Sequence, residues 1–306
     1  MSEMNFFSLM VHRLFGKTAM NEKKSHLEDP LFQDPDMETE FRMKGYVLRP
    51  FLDSSEIKKF QDLYETIKPE MPADIYVTVL SQDREYKRRI YEGICEITSR
   101  SRQAILPEHD VCITSFAIKG ADSKSGSIAF HQDWSFVDTD VHRAVNIWCP
   151  LIDVNEQNGC LKVIPGSHRL FSCFGISTSL PPPFAPVKNL LDSEFTVKLA
   201  VRSGWAVVYD SRLVHGSDEN RTHTTRVALI CATIPKNTTP RLYYRSKDEP
   251  DKLSVFEVNK DFFFDYRPAT EPNGVRLIDS IKYNSLPMRP EDLSELARYQ
   301  KAGSSI

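Results

Sequence analysis

The chain is short of glycine, with 12 in 306 residues, and its 19 prolines are scattered, which excludes a low-complexity or collagen-like protein. It has no CxxC pair. The six cysteines, Cys95, Cys112, Cys149, Cys160, Cys173 and Cys231, stand singly and mostly inside apolar runs, as reduced buried thiols do and a disulfide framework does not. It lacks an excess of either charge: 39 basic and 42 acidic residues leave a net charge of -3. The basic runs Lys23-Lys24 and Lys87-Arg88-Arg89 are short, so no stripe for nucleic acid is expected. No apolar run is long enough to span a bilayer. The run Phe6 to Val11 is preceded by Glu3, broken by His12-Arg13 and followed by no small-residue cleavage site, so a signal peptide is not expected either. There is no internal repeat. These absences lead to the expectation of a cytoplasmic protein with no membrane or nucleic-acid partner; they say nothing of oligomeric state.

What is present is ample material for a core: 41% apolar residues, including 18 Phe and 11 Tyr. Residues 1–38 read as a loosely packed N-terminal arm, in which Phe6, Met10 and Phe15 have the spacing of an amphipathic helix. Residues 39–306 read as a single domain. Gly45 to Leu48 has the pattern of a short strand. Asp53-Ser54-Ser55-Glu56 is a capping box opening a helix with Ile57, Phe60, Tyr64 and Ile67 on one face. A second helix is predicted over Arg84 to about Ala104, with Ile90, Ile94 and Ile97 inward.

The character changes near residue 111. Val111–Ile118, Ala144–Ile152, Cys160–Ile164, Phe195–Val201, Trp205–Tyr209 and Arg226–Ile234 are short β-branched or aromatic runs. Turn signals at Asn158-Gly159, Pro165-Gly166-Ser167 and Ser203-Gly204 separate them. Such a succession predicts a sandwich or closed barrel rather than a parallel βαβ sheet. Phe171 to Leu191 contains Pro181-Pro182-Pro183 and cannot be a strand; with Phe171, Phe174 and Phe184 it reads as a lid over the site. A C-terminal extension from about residue 236 carries an aromatic cluster, Phe262, Phe263, Phe264 and Tyr266, and ends in a helix at about Pro290 to Gln300.

Within the strand-rich half stands His131-Gln132-Asp133. His215 follows Asp133 by 82 residues, and Arg226 follows His215 by 11. In extended backbone His131 and Asp133 point to one face and Gln132 to the other. His215 is expected in a loop at the mouth of the strand ending at Tyr209. Two imidazoles and one carboxylate form a facial ligand set that suits non-haem iron and leaves three positions open. Arg226 offers a bidentate fork for a carboxylate, and Ser217 a nearby hydroxyl. Trp148 is a candidate wall of the same pocket. Asp140 with His142 reads as a surface loop and His168 as a turn residue. His12, His26, His109 and His223 lack partners at useful spacing.

Together these stretches resemble the phytanoyl-CoA dioxygenase family. The resemblance is carried by His131-Gln132-Asp133-Trp134, Asn146-Ile147-Trp148 leading into Leu151, and Asn158-Gly159-Cys160-Leu161. It continues through Val163-Ile164-Pro165-Gly166-Ser167-His168-Arg169 to His215-Gly216-Ser217, Asn220 and Arg226, and covers roughly residues 40–235. It implies a mainly β fold with flanking helices, a double-stranded β-helix (a jelly roll of cupin type). It also implies Fe(II), 2-oxoglutarate and O2 as cosubstrates, His131, Asp133 and His215 as iron ligands, and Arg226 with Ser217 as the 2-oxoglutarate clamp. No catalytic side chain beyond the metal centre is indicated. The expected activity is hydroxylation of an unactivated C–H bond in a small metabolite, as a biosynthetic tailoring step. The same residues serve desaturation or ring closure, and family members also act on acyl-CoA. A non-catalytic cupin-type binding protein is the rival from another class; a hydrolytic zinc enzyme would leave Arg226 without a role.

Overall fold

The computed structural model describes residues 26–68, 74–170, 176–283 and 287–303. The first element, α1 (Pro35–Lys44), starts where its sequence dictates. The Asp34 carboxylate accepts from the backbone N–H groups of Asp36 and Met37, and Pro35 occupies the first turn, where no N–H is needed. It ends at Gly45, whose φ of 83° suits glycine alone; a Cβ there would lie 2.4 Å from His168 Nδ1. The expected loose arm is therefore corrected over residues 26–38. Phe32 and Met37 are buried, and Glu38 pairs with Arg143 at 3.0 Å and Arg42 at 2.5 Å. The helix expected around Phe6, Met10 and Phe15 lies outside the described residues.

Strand β1 (Tyr46–Pro50) leads into α2 (Ser54–Ile67), which carries the Asp53–Glu56 capping box, and then to β2 (Ile75–Val77) and α3 (Arg84–Ile105). The apolar faces of α2 and α3, including Phe60, Tyr64, Ile90 and Ile94, form one core with Phe116, Ile118, Ile147, Val208 and Leu229. Eight strands follow: β3 (His109–Lys119), β4 (Ile128–His131), β5 (Val145–Pro150), β6 (Leu161–Val163), β7 (Val197–Leu199), β8 (Trp205–Asp210), β9 (His215–Ser217) and β10 (Arg226–Pro235). The major sheet has the order β1-β8-β5-β10-β3-β2 and the minor sheet β4-β9-β6-β7, all pairs antiparallel.

The eight strands form a jelly roll of two facing sheets, with no closed barrel. Strand parity decides which side chains face which layer. On β5, Val145, Ile147 and Cys149 point to the helices, while Trp148 points between the sheets. On β10, Val227, Leu229 and Cys231 point to the helices and Ala228 to the interior. The inner layer closes on Leu161, Val163 and Leu199 of the minor sheet.

The extension after β10 adds a sheet the sequence reading missed, β11 (Arg241–Tyr244), β12 (Lys252–Glu257) and β13 (Arg276–Lys282). Strand β13 is an exposed edge and shows no clean apolar alternation, so its sequence carries little strand signal. The aromatic cluster forms a single helical turn, Phe262–Asp265, and Phe263 and Tyr266 pack with Phe136 and Leu242. A 3-10 turn, Pro290–Leu293, precedes the terminal helix α4 (Ser294–Gly303).

The expected lid is corrected in its described part. Phe184 is 1% exposed and packs with Val187, Leu191, Ile164, Val214, Met288 and Leu296, against Phe130. Phe130 and Val214 immediately precede His131 and His215, so this cluster lies behind the minor sheet rather than over the site. Apolar burial pulls the loop there; its prolines stiffen it without holding it off the surface. Phe171 and Phe174 lie outside the described residues.

Candidate active site

His131 closes β4 and His215 opens β9, and they are cross-strand partners in the minor sheet. The expected loop at His215 is thus a three-residue strand, held between β4 and β6. Between Ile128 and His131 the β4–β9 register shifts by one residue. Gly216 permits this: a Cβ there would sit 2.7 Å from the Ile128 carbonyl oxygen. The bulge lets Asp133, on irregular backbone after β4, turn back to both rings. Its Oδ1 lies 3.6 Å from His131 Nε2 and its Oδ2 3.6 Å from His215 Nε2. The two ring centroids are 4.3 Å apart.

Each imidazole is oriented by its own backbone. His131 Nδ1 lies 2.9 Å from the Ala129 carbonyl and His215 Nδ1 3.0 Å from that of Leu213. A carbonyl only accepts, so Nδ1 carries a proton in both rings, and both Nε2 atoms face Asp133. One ligand atom from each of the three residues falls within a sphere of mutual distances under 4.8 Å, the one such His/Cys/Asp/Glu group among the described residues. Burial opposes ionisation of Asp133, but His215, His131 and the Tyr209 hydroxyl outweigh it and hold the carboxyl well below its usual range. Burial, then the neighbouring His131, pushes His215 down to about 4, so it stays neutral. Burial lowers His131, but the Asp133 carboxylate outweighs it and raises the ring above its ordinary value, so a cation at Nε2 would take the place of that proton. Two imidazole nitrogens and a carboxylate are a donor set that suits a divalent cation. The side chain of His215 is 6% exposed, against 39% for His131 and 29% for Asp133, so the set is open on the His131 side.

Arg226 opens β10 and points between the sheets, 1% exposed. Its Nη1 donates to the Ala117 carbonyl at 3.2 Å and Nη2 to that of Gly159 at 3.0 Å. Its Nε is buried with no acceptor, and among the described residues no carboxylate lies within ion-pair distance. Burial pushes its pKa down to about 10. The buried Ser217 hydroxyl, two residues from His215 on the same strand, also lacks a partner. The buried Trp148 ring lies 5.5 Å from the guanidinium. A buried guanidinium with no carboxylate in reach and an orphaned hydroxyl on the strand of His215 are both groups that a bound anion would satisfy.

The model of the phytanoyl-CoA dioxygenase family matches residues 41–228, more than half of the chain. The chain belongs to the phytanoyl-CoA dioxygenase family. Among its relatives, phytanoyl-CoA dioxygenase 1 of Oryza sativa subsp. japonica is 38% identical over 114 residues, 36% of this chain and 39% of that protein. The match thus spans about two fifths of that relative. The structure of EctD from S. alaskensis with 2-oxoglutarate and 5-hydroxyectoine superposes with a TM-score of 0.51 at 18% identity, over 73% of this chain and 86% of that one. EvdO2 from Micromonospora carbonacea var. aurantiaca, complexed with 2-oxoglutarate, gives 0.50 at 19% identity, over 68% and 94%. At these identities the two structures speak to the fold, and they share it.

In this member of the phytanoyl-CoA dioxygenase family three polar residues of the interior escaped the sequence reading. Tyr209 Oη donates to Asp133 Oδ2 at 2.6 Å, and Asn146 Nδ2 donates to the same oxygen at 2.7 Å. Lys119, fully buried at the end of β3, is the Cα partner of Arg226 and donates to the Gly126 carbonyl and, at 2.6 Å, to that of Asp218. Burial and the Arg226 charge push it down to about 7. The available signal was parity: Asn146, Tyr209 and Lys119 have the strand parity of the inward-facing Trp148, Val207 and Ala117. Among the described residues the other histidines stay apart from the set. His168 is buried under Gly45 with Nε2 3.2 Å from the Arg42 carbonyl, and His142 stacks on His26 at 5.4 Å.

Proposed function

We propose that the chain is an Fe(II)- and 2-oxoglutarate-dependent dioxygenase that hydroxylates an unactivated C–H bond of a small metabolite. The observation that carries this is the His131–Asp133–His215 set, with both Nδ1 atoms tied to carbonyls and both Nε2 atoms turned to Asp133. Residues 39–306 act as one oxygenase domain in this reading. His131, Asp133 and His215 hold the iron; Arg226 and Ser217, beside Trp148, hold the far carboxylate of 2-oxoglutarate. Iron so held supplies the oxidation, using O2 and the electrons released as 2-oxoglutarate is decarboxylated to succinate. The protein's own part is placement. Arg226 orients the dicarboxylate, the apolar inner layer excludes water, and the open His131 side admits substrate.

Asp133 also bears on the product. A chlorinating site of this kind needs the carboxylate position vacant for the halide, and here it is filled. With the true substrate, Fe(II), 2-oxoglutarate, O2 and chloride, the product should carry oxygen from O2 and no chlorine. The test of the proposal is succinate formation that depends on iron and on a metabolite from a candidate panel, lost together with metal binding in His131→Ala and His215→Ala. Full activity and iron content in either variant would refute it.

A further inference from the structure

Asp133 is the one member of the donor set that no strand holds. Residues 132–136 are irregular, and the backbone tie nearest its side chain is its own N–H, which donates to the Ser211 carbonyl at 3.1 Å. A carboxylate on such backbone is free to rotate, and a rotated one presents either oxygen, or both, to a cation. What fixes it comes from the opposite sheet. Asn146 on β5 and Tyr209 on β8 are directly opposite each other in the β5–β8 ladder, so their side chains project side by side from the inner face. Both donate to Oδ2, at 2.7 and 2.6 Å. An ionised carboxylate oxygen has about two lone-pair directions, so these donors occupy Oδ2. Oδ1 has no donor within hydrogen-bond distance among the described residues; its neighbour is His131 Nε2 at 3.6 Å. Tyr209 also lies edge-on to the His215 ring, centroid to centroid 4.9 Å, and so limits a second member of the set.

We infer that Asn146 and Tyr209 are the residues that position Asp133, occupying Oδ2 so that it offers a single oxygen, Oδ1, to the metal. The inference rests on the proposed reading of the set as metal ligands. Its consequence is a count of positions. A carboxylate giving one oxygen takes one position and leaves three; one giving both takes two, and a chelating dicarboxylate with O2 no longer fits. The inference gives both donors a positioning role, exerted through Asp133.

Cobalt(II) titrated into the metal-free protein, without 2-oxoglutarate, reads this directly, through affinity by calorimetry and coordination number by the visible absorption bands. Tyr209→Phe and Asn146→Ala should each weaken cobalt binding roughly 10- to 100-fold, the range typical when a partner of a metal ligand is lost. The absorption bands should change with them. Asn146→Asp separates positioning from packing. It is nearly isosteric, so a packing role predicts a milder effect than Asn146→Ala; a donor role predicts a stronger one, because an acceptor of like charge then faces Oδ2. Folding is checked by circular dichroism, and if Tyr209→Phe does not fold, the Asn146 pair decides alone. Folded variants with unaltered cobalt affinity and spectrum, or an Asn146→Asp milder than Asn146→Ala, would overturn the inference and leave the ligand set standing. Absence of cobalt binding by the unaltered protein overturns both.

Discussion

At the scale of single residues, two buried basic side chains, Arg226 and Lys119, are cross-strand partners, and among the described residues neither has a carboxylate within ion-pair distance. Arg226 is the stronger determinant, because its fork is held by two carbonyls while its Nε remains open. Removing it from a site that holds a dicarboxylate leaves that anion unpaired, a loss of about 3–5 kcal/mol by analogy with broken buried pairs. Arg226→Ala should therefore raise the apparent KM for 2-oxoglutarate by orders of magnitude while cobalt affinity survives; Ser217→Ala should act the same way but less. An unchanged KM in Arg226→Ala would place the carboxylate elsewhere. Lys119 gives a prediction in pH. Its folded pKa is about 7, below its ordinary value of 10.5. Between those values the unfolded chain binds a proton that the folded chain does not. Stability of the ligand-free protein should thus rise with pH across that window, with a Lys119 contribution of up to about 1.4 kcal/mol per pH unit. Denaturant midpoints from pH 7 to 9 should climb more steeply for the unaltered protein than for Lys119→Met. Parallel curves would show that Lys119 does not titrate there.

At the scale of elements, the site depends on β4 and β9, two strands of four and three residues. Strands that short have few ladder hydrogen bonds, so their geometry is set by what packs on either side. Inward, the His rings meet Asp133 and Tyr209. Outward, Phe130 and Val214 meet Phe184, Val187 and Leu191, and this loop is in turn fixed by the extension: Met288 N–H donates to the Pro183 carbonyl at 2.9 Å, and Ser177 N–H to that of Tyr243 at 2.8 Å. The loop is a buttress behind the two strands. Phe184→Ala should accordingly cost about 3–5 kcal/mol of stability, as large-to-small changes in a core do. It should weaken cobalt binding as well, through Phe130 and Val214. A variant of unaltered stability that merely uncouples succinate from product would restore the lid reading.

At the scale of the whole molecule, the matched family region ends at residue 228, inside β10, yet the structure does not divide there. The clusters that hold Phe136 and Val137, and Ile164 and Val214, both draw members from beyond residue 236. Metal and cosubstrate binding should therefore stabilise the chain as one unit. A ligand that binds only the folded state at 100 times its Kd adds about 2.7 kcal/mol. Cobalt with 2-oxoglutarate should raise a single thermal transition, and Arg226→Ala should abolish the 2-oxoglutarate increment alone. Two transitions, with one unaffected by ligand, would mean that the extension folds separately.

The amino-acid sequence by itself determined six of the eight jelly-roll strands, β3, β5, β6, β7, β8 and β10, because each is a short β-branched or aromatic run bounded by turn residues; β4 and β9, which carry the two histidines, it did not. It determined α2 and its capping box, since caps are local. It also determined the candidates His131, Asp133, His215, Arg226, Ser217 and Trp148, through residue type and order along the chain. Tertiary structure alone decided what depends on partners distant in sequence. Asn146 meets Tyr209 only through the β5–β8 register, and both meet Asp133 only across the gap between sheets. Lys119 neighbours Arg226 only through β3–β10 pairing, and the segment around Phe184 became a buttress because its apolar side chains found the outer face of the minor sheet. Local pattern fixes which way a side chain points from its own strand; the packing of sheet on sheet fixes what it points at.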